Sequence, residues 1–569
     1  MKRRWQIIIY AGIILAGTLL PLLAFEGGLR LSGYGHTGAL FVVDPGHGND
    51  NAFIVDKYFY ARFFPSADRE WILNSGNWGW EIKKEKQAGT VRIFVLGGSV
   101  ALGDQTDYAF SNARILEVML RKAFPGTKFE IFNLACGALN SHVMRRVATE
   151  AASFSPDIFL VYMGNNEYLG PYGPAWSPGG MPLGADQVQR RISLQELRLV
   201  QLLSSFASSD KYLISGGPQG VFEHTVKVRP TDPGRQTMYR SFERNLSEIC
   251  ETAAKSGVRT ILCTVGNNLR NWTPYASLHK ADLTGEELGR WNGYFQAGVE
   301  AQEEWDSDAA NSLRRSLDQY TAAEEIDPCY ADLQFRLGEC RWLLGEYDEA
   351  RVAFTRARDY DGFAIRADSI INGIIRECAG RHAGTSLADI EELFTRASEN
   401  GIMGGALFYD YVHVLFDGDY LIASGAFAEV RKVLLERFKK EPVADMLSVG
   451  ECKQALGMSP YLGALFLKRV TEEVEVSRMY NTRLDVRPLK KQLAEAESRV
   501  NEESFDAALE ALRNTDLYKE GDVHISRLLV ELLQGAGRAE AAKAEAIHIT
   551  GLFPNRPDAR RISGMLSQE

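Results

Sequence analysis

The sequence predicts an α/β fold: a parallel sheet with helices on both faces, interrupted by an α-helical insert and followed by an α-helical repeat-like domain. Three observations predict it. From residue 91 short β-branched and aromatic runs alternate with segments of helical spacing, the pattern of a parallel sheet covered on both sides. From about 285 to 360 the text is helical throughout. Strand-and-helix text then resumes to about 440, and the remainder is almost wholly helical. At 569 residues the chain exceeds one ordinary core. The divisions read as 1–26, 27–90, 91–280, 281–360, 361–440 and 441–569.

Lys2-Arg-Arg4 precedes Ile7 to Phe25, about 19 residues without a charge, close to the length of a spanning helix. No small-x-small cleavage site follows, so residues 1–26 read as an uncleaved transmembrane signal anchor. The positive-inside rule then predicts a single pass of the inner membrane, with the bulk of the chain on the extracytoplasmic, periplasmic side. Residues 27–90, rich in Gly, Asn and aromatics such as Trp78 and Trp80, read as a lead-in packing on the first strand, with His36 and His47 as loop residues.

Val91 to Leu96 is the first strand. It ends at Gly97-Gly98, where small residues permit a sharp reversal, and Ser99 sits on the turn before a helix from Ser111 to Phe124. Strand, glycine turn, serine, helix is how an open α/β sheet presents a nucleophile at its carboxyl edge. Lys128 to Leu134 is a second strand running into Gly137, and a helix follows to about Phe154. Asp157 to Met163 is the third strand, ending in Gly164-Asn-Asn-Glu167. A long excursion, 170–235, carries one helical stretch from Leu194 to Phe206. After an amphipathic segment, Phe242 to Ala254, the fourth strand spans Arg259 to Val265 and ends in Gly266-Asn-Asn268.

In the insert, Leu337, Gly338, Gly345, Tyr347, Ala350, Phe354 and Ala357 match the 34-residue tetratricopeptide spacing, although Gln334 stands at the Trp position. Tyr320, Ala323 and Pro328 fall at matching positions one repeat upstream. Beyond it come amphipathic Ala388 to Phe394, a Gly401 to Ala406 loop, Leu407 to His413, then Gly418 and a helix from Tyr420 to Phe438. Near the end Gly537, Ala542, Ala546 and Pro554 again match repeat positions.

A net charge of −10 without a basic stripe argues against nucleic acid as a partner. Seven scattered cysteines lack metal spacing, and no metal or cofactor site is predicted. Ser99 needs a base, because a free hydroxyl is a poor nucleophile at neutral pH. His413 has Asp410 three residues before it, a spacing that in a tight turn brings carboxylate to imidazole. Candidate oxyanion donors are the backbone N–H groups of Ser99 and Gly137 and the side-chain amide of Asn166. Gly98, Asn268 and Arg270 are candidate substrate-binding residues, Arg270 for an anionic group, and His142 reads as structural.

Gly97-Gly-Ser99, Gly137, Gly164-Asn-Asn166 and Asp410-Tyr-Val-His413 resemble blocks I, II, III and V of the SGNH (GDSL-type) hydrolase superfamily. Asn165 to Gly173 and the late Asp-x-x-His narrow the resemblance to membrane-anchored bacterial members carrying tetratricopeptide repeats. The resemblance implies a flavodoxin-like sheet and a metal-free serine esterase or acyltransferase. In it Ser99 is the nucleophile, His413 the base, Asp410 its orienting partner, and Gly137 and Asn166 the oxyanion donors. Two positions depart from the family: Gly98 replaces an aspartate in block I, and Glu167 replaces one in block III. The expected substrate is an acyl ester on a cell-envelope glycan or lipid, with the repeats offering a surface to a protein partner. The alternative, from a different class, is a scaffold protein whose repeats do the work and whose site is degenerate.

Overall fold

A computed structural model describes residues 2–44, 51–64, 81–103, 107–206, 225–303, 309–476, 485–501, 504–552, 559 and 562, with side chains of the first helix from Gly17 onward. His47, Trp78, Trp80 and Pro554 lie outside the described residues. The lead-in forms a small antiparallel sheet from β1 (Phe41–Val43), β2 (Ala52–Val55) and β3 (Ile82–Lys83). It packs on the core through Phe41, whose ring centroid is 4.1 Å from that of Phe154, and through Tyr60, whose hydroxyl donates to the Leu134 carbonyl at 2.8 Å.

The principal sheet consists of β4 (Val91–Gly97), β5 (Phe129–Asn133), β6 (Ile158–Tyr162), β7 (Arg259–Cys263) and β8 (Thr385–Ala388). Its order is β5-β4-β6-β7-β8 and every pair is parallel. Counted within the sheet this is 2-1-3-4-5, the flavodoxin-like order, whose switch point lies between β4 and β6. Every residue of β4 and β6 is buried, which is why these strands read as unbroken apolar runs. Helices Ser141–Ala151, Pro233–Lys255 and Ser369–Arg381 pack together on one face, and Asn112–Ala123 and Phe416–Phe438 on the other. Pro233 at the first turn starts its helix well before the predicted Phe242.

Four helices, Gly285–Glu303, Ala309–Ile326, Ala331–Leu344 and Tyr347–Asp359, lie between β7 and β8 in the chain. They share a core of Trp291, Leu313, Tyr320, Ala323, Leu333, Leu337, Cys340 and Ala353. Gly338 lies against the Phe354 ring, where a Cβ would stand 2.8 Å from it, so the last two helices approach through this glycine. Gln334, at the position of the repeat's Trp, is buried and donates to Glu324 at 2.8 Å and to the Pro328 carbonyl at 3.0 Å. Cys329 and Cys340 are free thiols. After Phe438 the described chain is helical, and ion pairs Arg114–Asp522 and Arg527–Asp107 tie it to the Asn112–Ala123 side of the sheet.

The predicted anchor is overturned. Among the described residues no helix is long and apolar enough to cross a membrane. Lys2–Leu31 is a single helix with Pro21 inside it and Glu26 and Arg30 paired in its last turns. Glu26 also engages the rest of the protein, its carboxylate accepting the Arg198 and Leu199 backbone N–H groups at 3.0 and 2.8 Å. The transmembrane signal anchor, the inner-membrane placement and the periplasmic side that depended on it are withdrawn. The case for a cell-envelope substrate goes with them.

A buried polar network closes the sheet around the insert. Arg235 is fully buried and donates to the carbonyls of Asp359 and Asp361 and to the Asp368 carboxylate, the last at 2.7 Å. Asp361 in turn accepts backbone N–H groups from Tyr275, Ala276 and Phe363, each at 3.0 Å. Arg366 donates to the carbonyls of Asn268 and Trp272 at 2.9 and 3.0 Å. The chain entering the insert and the chain leaving it are therefore held side by side. Removing one partner of such a pair strands a buried charge. Asp368→Ala is expected to destabilise the protein by about 3–5 kcal/mol, read as a lower urea midpoint; an unchanged midpoint would contradict this role.

Candidate functional site

The site forms at the carboxyl edge of β4 and β6, beside the switch point. The chain leaves β4 at Gly97, where a Cβ would stand 2.1 Å from the Tyr162 carbonyl oxygen of β6. Ser99 then opens a four-residue helix, Ser99–Leu102. At that position its own N–H has no acceptor within the helix. The opposite end has four carbonyls to satisfy and almost no helix to do it. The Gly103 N–H donates to Ser99 O at 2.9 Å, and buried amides supply the rest. Asn112 Nδ2 donates to Val100 O at 2.8 Å, and Asn133 Nδ2 donates to Ala101 O and Leu102 O at 2.8 and 3.1 Å.

His413 comes from a tight turn between Leu407 and Leu415, closed by a bridge between Phe408 and Val414. Asp410 builds this turn. Its Oδ1 accepts the backbone N–H groups of Val412 and His413 at 2.8 and 2.7 Å, and its Oδ2 lies 2.6 Å from His413 Nδ1. His413 Nε2 lies 2.7 Å from Ser99 Oγ, although the two residues are 314 positions apart. A carboxylate only accepts, so Nδ1 carries the proton and Nε2 is left to accept from the Ser99 hydroxyl. Asp410 is buried and the imidazole is 12% exposed, so the pair is shielded while the ring still reaches the cleft. The Tyr409 and Tyr411 rings flank the imidazole, with centroids 5.8 and 5.7 Å away.

Of the candidate oxyanion donors, Asn166 lies directly over the serine turn. Its Nδ2 donates to Leu139 O at 3.0 Å and would be 2.4 Å from a Cβ at position 98. The glycine at 98 is thus a steric requirement here: a larger residue would displace the amide. Gly137 is brought alongside by the preceding N–H, Cys136 donating to Gly97 O at 3.2 Å. Glu167 is buried and holds the start of the Ser141–Ala151 helix. Its Oε1 accepts the Ser141 N–H at 2.9 Å and its Oε2 the Ser141 hydroxyl at 2.7 Å, capping the Ser141–Ala151 helix, which its own Asn140 side chain does not cap. Burial pushes Glu167 up to about 7, against the pull of both Ser141 bonds.

Two candidate binding residues make contacts within the protein. Asn268 is buried, its Nδ2 donating to Asp410 O at 3.0 Å and its Oδ1 accepting the Asn271 N–H at 3.0 Å, so it braces the His413 turn. Arg270 turns toward the insert and lies over the Trp342 and Phe354 rings, at 4.9 and 5.7 Å from their centroids. His142 is buried beside Asn245, 3.0 Å from its amide, and burial lowers it to about 4, so the ring is neutral. Sequence reasoning missed Asn112 and Asp419, which meet at 2.9 Å beneath the serine helix. Among the described residues no group of His, Cys, Asp or Glu side chains is arranged to hold a metal.

No protein-family model matches the chain, and no curated protein does. Solved structures with some similarity include the acetyl xylan esterase AlAXEase, at 11% identity and a TM-score of 0.28, covering 60% of this chain and 100% of that one. An alpha/beta hydrolase from the metagenome of Lake Arreo, Spain, has 13% identity and a TM-score of 0.26, covering 59% and 94%. A chain of the APC/C hetero-tetramer Cut9-Hcn1 has 12% identity and a TM-score of 0.17, covering 67% and 62%. At these scores none of the three bears on fold or function.

Glu167 yields a pH-dependent expectation. The folded protein keeps this proton to about pH 7, whereas an ordinary glutamate releases it near 4.5. Its contribution to stability is therefore complete below about pH 4.5 and is lost as the pH rises through about 7. In thermal melts across that window, the advantage of wild type over Glu167→Gln is expected to shrink with rising pH. A difference that does not vary with pH would contradict it.

Proposed function

We propose that this chain is a serine esterase of the SGNH type, which transfers an acyl group from an ester to water or to an acceptor hydroxyl. The observation that carries the reading is the continuous chain of contacts from Asp410 through His413 to Ser99, at 2.6 and 2.7 Å. Ser99 follows β4 and His413 comes from the turn after the Ile390–Ala397 helix, and the two meet beside the switch point, where open α/β sheets bind ligands.

Ser99 Oγ attacks the ester carbonyl as His413 Nε2 takes its proton. The negative charge that develops on the carbonyl oxygen is met by the N–H groups of Ser99 and Gly137 and by the second N–H of the Asn166 amide, the first being held by Leu139 O. Collapse of this intermediate expels the alcohol, which receives the proton from His413 and leaves an acyl-Ser99. Water or an acceptor alcohol then attacks the acyl group, with His413 again as base. Asp410 stabilises the imidazolium that forms twice per turnover.

The test is turnover of a short-chain nitrophenyl ester series by the full chain. Ser99→Ala and His413→Ala are each expected to lower kcat by on the order of 10⁵–10⁶, with the double variant no worse than either. Asp410→Asn is expected to cost on the order of 10⁴, because it permits the wrong tautomer. A Ser99→Ala variant that turns over at the wild-type rate, or a wild type inert across the series, would remove this reading.

A further inference from the structure

Ser99 and His413 meet through a hydrogen bond, yet they sit on segments 314 positions apart in the chain. A hydroxyl and an imidazole joined only by that bond are free to part by the ångström that matters, since a misplacement of about 1 Å can cost 10²-fold in rate. The two segments therefore need a second, stiffer connection. A buried amide supplies one.

Asn112 begins the Asn112–Ala123 helix and is 3% exposed. Its Nδ2 donates to two acceptors: Val100 O at 2.8 Å and Asp419 Oδ1 at 2.9 Å. Val100 directly follows the nucleophile on the short serine helix. Asp419, likewise 3% exposed, lies in the first turn of the Phe416–Phe438 helix, which begins where the His413 turn ends. That start is itself fixed, because the Gly418 and Asp419 N–H groups both donate to Leu415 O, at 2.8 and 3.0 Å, while the Leu415 N–H donates to Leu407 O at 2.8 Å. One amide thus spans the serine helix and the base of the histidine turn.

We propose that Asn112 and Asp419 are positioning residues that hold Ser99 Oγ and His413 Nε2 in register. Neither touches the reacting atoms; both act through the segments that carry them. This rests on the esterase reading above. Burial pushes Asp419 up to about 8, with the Asn112 bond acting against it. Near neutral pH the clamp is thus an amide and a neutral acid. It adds no second negative charge beside His413, and an amide can replace the acid.

The experiment uses the full chain and two readouts. The first is kcat and KM on a short-chain nitrophenyl ester. Asn112→Ala and Asp419→Ala are expected to lower kcat about 10- to 100-fold with KM within about twofold. The double variant should be no worse than the poorer single, because the two residues act as one unit. Asp419→Asn, which keeps an oxygen for the Asn112 amide, is expected to stay within a few-fold of wild type. The second readout is the nitrogen NMR signal of the His413 ring, assigned with His413→Ala. Both alanine variants should shift it in the direction that Ser99→Ala does.

Wild-type kcat in folded alanine variants, a loss confined to KM, multiplicative losses in the double variant, or an Asp419→Asn as poor as Asp419→Ala would each overturn the clamp. Should the alanine variants not fold, Asn112→Ser decides: its hydroxyl has one proton and cannot serve both acceptors, so wild-type kcat there is equally fatal. If wild type turns over no ester, the esterase reading fails separately, and the His413 signal still judges the clamp. An unmoved signal in the variants would sink it.

Discussion

Two buried arginines, Arg235 and Arg366, hold the flanks of the helical insert together. The chain leaves the sheet after β7, builds four helices, and must return to the same sheet edge before it reaches His413. Arg235 and Arg366 meet that need by gripping both flanks of the excursion, through the carbonyls of Asn268, Trp272, Asp359 and Asp361 and the carboxylate of Asp368. Guanidinium groups suit the task because five donors in a rigid fork can satisfy several acceptors at once. The same closure keeps Asn268 against Asp410 O, so the brace around the insert is continuous with the brace around the histidine turn.

The site follows a common physical pattern: short backbone segments whose polar groups cannot be met locally are completed by buried side chains. The serine helix is too short to satisfy its own carbonyls, and Asn112 and Asn133 complete it. The Ser141–Ala151 helix lacks its own side-chain cap, and Glu167 supplies one from the Asn166 loop. At the tip of the histidine turn, beyond the Phe408–Val414 bridge, Asp410 takes the N–H groups of Val412 and His413. An unpaired buried polar group costs about 1–3 kcal/mol, so each interaction fixes geometry by making the alternatives expensive. Two residues that differ from the resembled motifs follow the same pattern. Gly98 leaves room for the Asn166 amide, and Glu167 has the reach to cap across to Ser141.

Much of the sheet was legible because β4, β6 and β7 are almost wholly buried and so are written as largely apolar runs. β8 was not. Its four residues, Thr385-Ser-Leu-Ala388, are mostly half-buried and carry no such run. The three-stranded lead-in sheet escaped for a similar reason, since β3 is only two residues long. Gly418 suggested a turn before a helix at Tyr420, but the helix begins at Phe416, which concealed Asp419. The spacing of Asp410 and His413 could be read as a turn, whereas the approach of Ser99 from 314 positions away was inferred only from its need for a base and from resemblance to a family. Asn268 shows the limit of such reading: an amide at a strand end can face a substrate or brace a loop, and only the fold decides which. The uncharged run before Glu26 misled because spanning length is a necessary feature of a membrane helix and not a sufficient one.

The central claim is that the contact between Ser99 and His413 makes this one serine a nucleophile. Treating the intact protein with a fluorophosphonate and locating the adduct by peptide mass spectrometry tests it most directly, because the reagent needs an activated hydroxyl and no knowledge of the natural ester. One adduct is expected, on Ser99, whose formation is lost in His413→Ala while the fold persists. An unlabelled Ser99, or labelling at the same rate without His413, would contradict it.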